Sequence, residues 1–84
     1  MAHVIMYSTR ICPFCQLAEK LLAKKGITPE KILLDLHTER RQEMFERTQR
    51  KTVPQIFIND QHIGGYDDLY ALEQSGKLDA LLTA

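Results

Sequence analysis

The chain has 84 residues, enough for one small domain with a single hydrophobic core. Apolar residues make up 44% and 11 basic side chains balance 11 acidic ones, which excludes a disordered tail and removes the bulk electrostatic case for a nucleic-acid or membrane-surface binder. No apolar run reaches the length of a membrane span and the first residues lack the pattern of a secretion signal, so residues 1–84 are expected to form one cytoplasmic domain, where thiols stay reduced.

Val4-Ile5-Met6-Tyr7 is a short run of strand formers and is expected to be a buried strand. After a four-residue turn comes Cys12-Pro13-Phe14-Cys15, which holds the only two cysteines of the chain. Cys12 is expected at the N-cap of a helix, with Pro13 at the first helical position, where its missing N–H costs no hydrogen bond. Leu17, Ala18, Leu21 and Leu22 recur at helical spacing, Glu19, Lys20, Lys24 and Lys25 are expected to face outward, and Gly26 is a natural stop. Lys31 to Leu36 reads as a second strand, so strand, helix and strand form a βαβ unit with parallel strands.

Thr38 is expected to cap a second helix that runs to about Gln49 and packs through Met44 and Phe45, its Glu and Arg residues forming a solvated face. Thr52 to Ile58 reads as a third strand, and Asn59-Asp60 turns it tightly into a fourth, Gln61 to Gly64. Gly64-Gly65 breaks the chain. Asp67 or Asp68 is expected to cap a third helix carrying Leu69 and Leu72 and ending at Gly76, and Leu78, Leu81 and Leu82 form a terminal amphipathic segment. The order β-α-β-α-β-β-α predicts an α/β fold with a mixed four-stranded sheet flanked by three to four helices.

A C-x-x-C pair where a strand hands over to a helix reads as a redox-active dithiol. The attacking species in thiol–disulfide exchange is the thiolate, and a helix N-terminus offers it unsatisfied N–H groups and the positive end of the helix dipole. Such surroundings lower a cysteine pKa from about 8.5 to roughly 3.5–7.5. Cys12 is therefore expected to be the nucleophile and Cys15, one turn on, the resolving thiol. A single C-x-x-C supplies half of a four-ligand zinc site, and His3, His37 and His62 are scattered without ligand spacing, so no metal is expected. An inert disulfide is the weaker reading in a reducing compartment.

Cys12-Pro13-Phe14-Cys15, Thr52-Val53-Pro54 and Gly64-Gly65-Tyr66-Asp67-Asp68 together resemble the glutaredoxins, and among them the small bacterial dithiol proteins, over essentially the whole chain. The resemblance implies a thioredoxin fold, a cis Pro54 beside the cysteines, and a glutathione-dependent thiol–disulfide oxidoreductase with glutathione as co-substrate. It implies a glutathione site made by Phe14, Thr52, Val53, Pro54, Gly65, Tyr66, Asp67 and Asp68. In it the Val53 backbone holds the cysteinyl part like an added strand, and Tyr66 to Asp68 take the γ-glutamyl end. The implied partners are disulfide-containing or glutathionylated proteins, met by a monomer. Two positions depart from the pattern. Phe14 stands where many relatives carry tyrosine, and Thr9 where many carry a lysine that reaches the glycyl carboxylate; Arg10, Gln42 or an arginine of the second helix are candidates to replace it. A dimer bridging an iron–sulfur cluster is disfavoured by Pro13, and a thioredoxin-type protein by the absent tryptophan and the G-G-x-D-D stretch.

Overall fold

Strand β1 (Val4–Ser8) lies inside a four-stranded sheet of order β2-β1-β3-β4 in a computed structural model that describes residues 2–83. It pairs in parallel with β2 (Glu30–Leu33), after the crossover through α1 (Pro13–Lys24), and antiparallel with β3 (Gln55–Ile58). β3 pairs antiparallel with β4 (Gln61–Gly64) through a two-residue turn in which Asn59 and Asp60 both have positive φ, 49° and 67°. That conformation matches the twist of the flanking strands, and Asn and Asp tolerate it better than most side chains.

Side chains alternate across a strand, so β1 serves two cores. Val4 and Met6 join Ile56 and Ile58 beneath Ala18, Leu21 and Leu22 of α1, Leu69 of α3 (Tyr66–Gln74), and Leu78 and Leu82 of α4 (Leu78–Thr83). On the other face Tyr7 packs with Ile32, Leu34 and Phe57 against Met44 of α2 (Arg41–Thr48). All four residues of β3 are buried, as suits a strand with neighbours on both sides and helices on both faces.

Several expected boundaries move, each for a local reason. β2 ends at Leu33 rather than Leu36, because the chain turns there: Leu36 N and His37 N both donate to Leu33 O. Asp35 then accepts from the backbone N–H and the Nε of Arg10, at 3.3 and 2.7 Å. The segment from Thr38 begins as a single 3₁₀ turn, Thr38–Arg40, without a side-chain cap, and α2 proper starts at Arg41. β3 begins at Gln55 and not at Thr52, since the Val53–Pro54 peptide is cis and Pro54 has no N–H to offer the ladder. The N-cap of α3 is Gly65; Asp68 caps from inside the first turn, its carboxylate accepting the Gly65 N–H at 3.0 Å. Leu17 is exposed, leaving Cys15, Ala18, Leu21 and Leu22 as the buried stripe of α1. Lys25 turns inward and bridges Glu73 and Asp79 at 2.9 and 3.0 Å.

Candidate active site

The turn after β1 delivers Cys12 to the N-cap of α1 in an extended conformation, φ −154° and ψ 99°, and Pro13 opens the helix. The Cys12 sulfur accepts the backbone N–H of Cys15 at 3.2 Å, so one of the orphan amides of the helix start points at the reacting atom. The two cysteines are disulfide-bonded, with Cα atoms 5.2 Å apart. Cys12 is 8% exposed and Cys15 1%, so an incoming thiol meets Cys12 first. Pro13 and Phe14 stand outside on the same turn, Phe14 with 61% of its surface open.

Beside this turn lies a cleft of about 440 Å³. Phe14, Thr52, Val53, Pro54, Gly65, Tyr66 and Asp67 line it, so three stretches far apart in sequence meet around one space. Val53 and Tyr66 also pack against the core that contains both cysteines. The Phe14 and Tyr66 rings lie 6.4 Å apart, one on each helix, and Tyr70 continues the aromatic surface 5.9 Å beyond Tyr66. Gly64 needs to be glycine: its φ of +120° excludes ordinary side chains, and a Cβ there would run into the Asp68 carboxylate. Gly65 brings the start of α3 close to Pro54, whose carbonyl oxygen lies 3.5 Å from where a Cβ on Gly65 would sit.

Asp68 differs from its neighbour Asp67. Its carboxylate is taken by the Gly65 N–H and by Arg50, whose Nη1 lies 3.2 Å away, and it does not line the cleft. Arg50 itself does line the cleft, as does Gln55; sequence reasoning assigned neither. The available signal for Arg50 was its position two residues before Thr52. For Gln55 it was a polar residue in an otherwise apolar strand. Of the groups weighed as replacements for a lysine at Thr9, Arg10 is held by Asp35, whose carboxyl the guanidinium keeps below its usual range. Gln42 faces a separate cavity of about 300 Å³ with Arg41, Met44, Phe45 and Lys51. His3 and His37 are exposed and His62 is half-buried on β4, and the described residues contain no cluster of His, Cys, Asp and Glu able to hold a metal ion.

The family model for glutaredoxin matches residues 4–63. Glutaredoxin 3 of Escherichia coli K12 is 50% identical over 98% of this chain and 99% of its own length. The solution structure of a glutaredoxin from Brucella melitensis is 52% identical, superposes with a TM-score of 0.84, and is covered over 98% of this chain and 89% of that one. A crystal structure of a buckwheat glutaredoxin–glutathione complex is 29% identical with a TM-score of 0.91, over 98% of this chain and 77% of that one. With the thioredoxin fold formed and Cys12 and Cys15 paired at the start of α1, this chain belongs to the glutaredoxin family as a dithiol member.

Proposed function

We propose that Cys12 is the nucleophile of a glutathione-dependent thiol–disulfide oxidoreductase, with Cys15 as the resolving thiol and the cleft between Phe14, Val53 and Tyr66 as the glutathione site. The observation that carries this reading is the meeting of the helix-capping Cys12 turn with a cleft whose walls are Thr52-Val53-Pro54 and Gly65-Tyr66-Asp67. The Cys12 thiolate attacks the glutathione sulfur of a glutathionylated thiol; the Cys12–glutathione bond forms, the old disulfide breaks, and the substrate leaves as a thiolate that takes up a proton. A second glutathione thiolate then attacks that mixed disulfide, releasing oxidised glutathione and the Cys12 thiolate. With a protein disulfide, Cys15 attacks the Cys12 sulfur of the mixed species. The substrate departs as a dithiol and the Cys12–Cys15 disulfide remains, which two glutathiones reduce.

Within the cleft, the Val53 backbone lies outside the β ladder, which starts at Gln55, and pairs with the cysteinyl part of glutathione as an added strand would. The first amides of α3 and Asp67 receive the γ-glutamyl carboxylate and ammonium, with Asp68 holding the turn that presents them. Arg50, which lines the cleft and pairs with Asp68, supplies the cation that Thr9 lacks. Residues 1–84 act as one monomeric domain in the cytoplasm on disulfide-containing or glutathionylated proteins, with no nucleic acid, membrane or metal involved. No helix of the described residues is long and apolar enough to cross a membrane.

Turnover of a small glutathione mixed disulfide tests these roles. Cys12→Ser is expected to abolish it and Cys15→Ser to retain it while losing reduction of protein disulfides. Full activity in Cys12→Ser would sink the assignment.

A further inference from the structure

Gln55 opens β3 directly after Pro54 and is 1% exposed. A buried amide needs partners at both ends, and here both partners are side chains. Gln55 Oε1 lies 2.8 Å from Nε2 of His62 on β4, and Gln55 Nε2 donates to Oγ1 of Thr52 at 3.3 Å. With the proton of the imidazole on Nε2, each link has one donor and one acceptor: His62 to Gln55, then Gln55 to Thr52. The far end is fixed as well. His62 pairs with Phe57 in the register of β3 and β4, and their rings lie 5.1 Å apart. The near end is a loop residue: the pairing of β3 with β1 stops at Gln55, so the ladder does not hold Thr52 or Val53.

Resting on the reading of the cleft given above, we propose that Gln55 is a positioning residue for glutathione. The chain His62–Gln55–Thr52 is a strut that carries the rigidity of the β3–β4 hairpin into the Thr52-Val53 wall. Glutathione is bound largely by backbone at that wall, and backbone recognition depends on where the loop sits rather than on which side chain it carries. Without the strut the wall has more positions to lose on binding, which weakens affinity while leaving the thiol chemistry of α1 alone.

Steady-state kinetics on the mixed disulfide of glutathione and 2-mercaptoethanol test this. Gln55→Met keeps the side-chain length and removes both hydrogen bonds. Its KM for the mixed disulfide is expected to rise roughly three- to tenfold, with kcat within about twofold of the unaltered protein. Gln55→Glu should bring KM back toward the starting value, because a carboxylate accepts from both the His62 N–H and the Thr52 hydroxyl. A role confined to stability would lower the melting temperature without separating KM from kcat and without rescue by glutamate. Should Gln55→Met fail to fold, His62→Phe keeps a ring against Phe57 and cuts only the outer link, for a KM increase of about two- to threefold. An unchanged KM in a folded Gln55→Met or His62→Phe protein overturns the strut while leaving the glutathione site standing. Absence of mixed-disulfide turnover in the unaltered protein removes both.

Discussion

Beneath α1, α3 and α4 the sheet is covered by aliphatic side chains and two cysteines, whereas beneath α2 a buried tyrosine reaches toward charged groups. Tyr7, with no exposed surface, donates its hydroxyl hydrogen to the Glu43 carboxylate and accepts from Arg47 Nη1 at 3.0 Å. Arg40 grips the same carboxylate with Nε and Nη2 at 3.1 and 2.8 Å, and the Arg47 guanidinium lies 4.0 Å above the Phe57 ring. These contacts hold the Glu43 carboxyl below its usual range, Arg40 first and Tyr7 second. Burial, reinforced by the bond to Glu43, pushes the Tyr7 phenol up. The reason for the contrast is composition. α2 buries only Met44 and Thr48, too little apolar surface to hold a helix of eight residues, so it is fastened by directional contacts. The opposite face draws on aliphatic side chains of three helices, and two of these, α1 and α3, begin beside the cleft.

The comparison breaks if damage under α2 reaches the thiols. Met44→Ala removes the one large buried side chain of that helix and is expected to cost about 2–5 kcal/mol in chemical denaturation. The ultraviolet titration of the Cys12 thiolate in the reduced protein should stay where it was; a shifted titration would show the two faces to be coupled. Tyr7→Phe is a gentler probe. It deletes the hydroxyl that Glu43 and Arg47 share and should cost about 1–3 kcal/mol with mixed-disulfide turnover unchanged. A loss below about 0.5 kcal/mol would mean that the polar fastening contributes little beyond the ring itself. The smallest effect is on acid stability. Because the folded carboxyl of Glu43 sits below its unfolded value of 4.5, its contribution is complete above that pH and is lost as the pH falls through the folded value. Glu43→Gln should therefore be less stable than the parent above pH 4.5 and should converge with it in more acidic solution, as followed by denaturation at a series of pH values. Parallel curves would assign the loss to packing instead.

What could be read in the sequence was whatever short-range stereochemistry dictates. Cys12 at the N-cap, Pro13 behind it and the Asn59-Asp60 hairpin follow from a few adjacent residues and were legible. The end of β2 was not, since Leu34 is buried with its N–H bonded to Ser8 O, and the turn that ends the strand rests on the Leu33 carbonyl taking two amides and on Asp35 reaching back to Arg10. Lys25 gave the same kind of error: a cation at a helix end reads as solvated until Glu73 and Asp79 arrive from other elements. At the site, the cysteines are recognisable by spacing and the two walls by resemblance alone. Arg50 and Gln55 were missed because nothing in their own neighbourhoods says which way a side chain points. Tertiary contacts decide that, with Asp68 eighteen residues from Arg50 and His62 across a hairpin from Gln55.

That inward-turned Lys25 has an electrical consequence. Phe14 meets Tyr66 where α1 and α3 begin, and Lys25 meets Glu73 where they end, so the two helices run side by side in the same direction. Parallel neighbours of this kind repel, because like poles lie together at each end. At the trailing ends one ammonium group serves both helices and relieves the crowding of negative poles. At the leading ends the two poles are met unequally: α3 carries Asp67 and Asp68 in its first turn, whereas α1 has no acidic residue there and turns the Cys15 N–H on the Cys12 sulfur. The pole left without a carboxylate is therefore the one beside the sulfur, where the helix dipole favours a negative charge on Cys12.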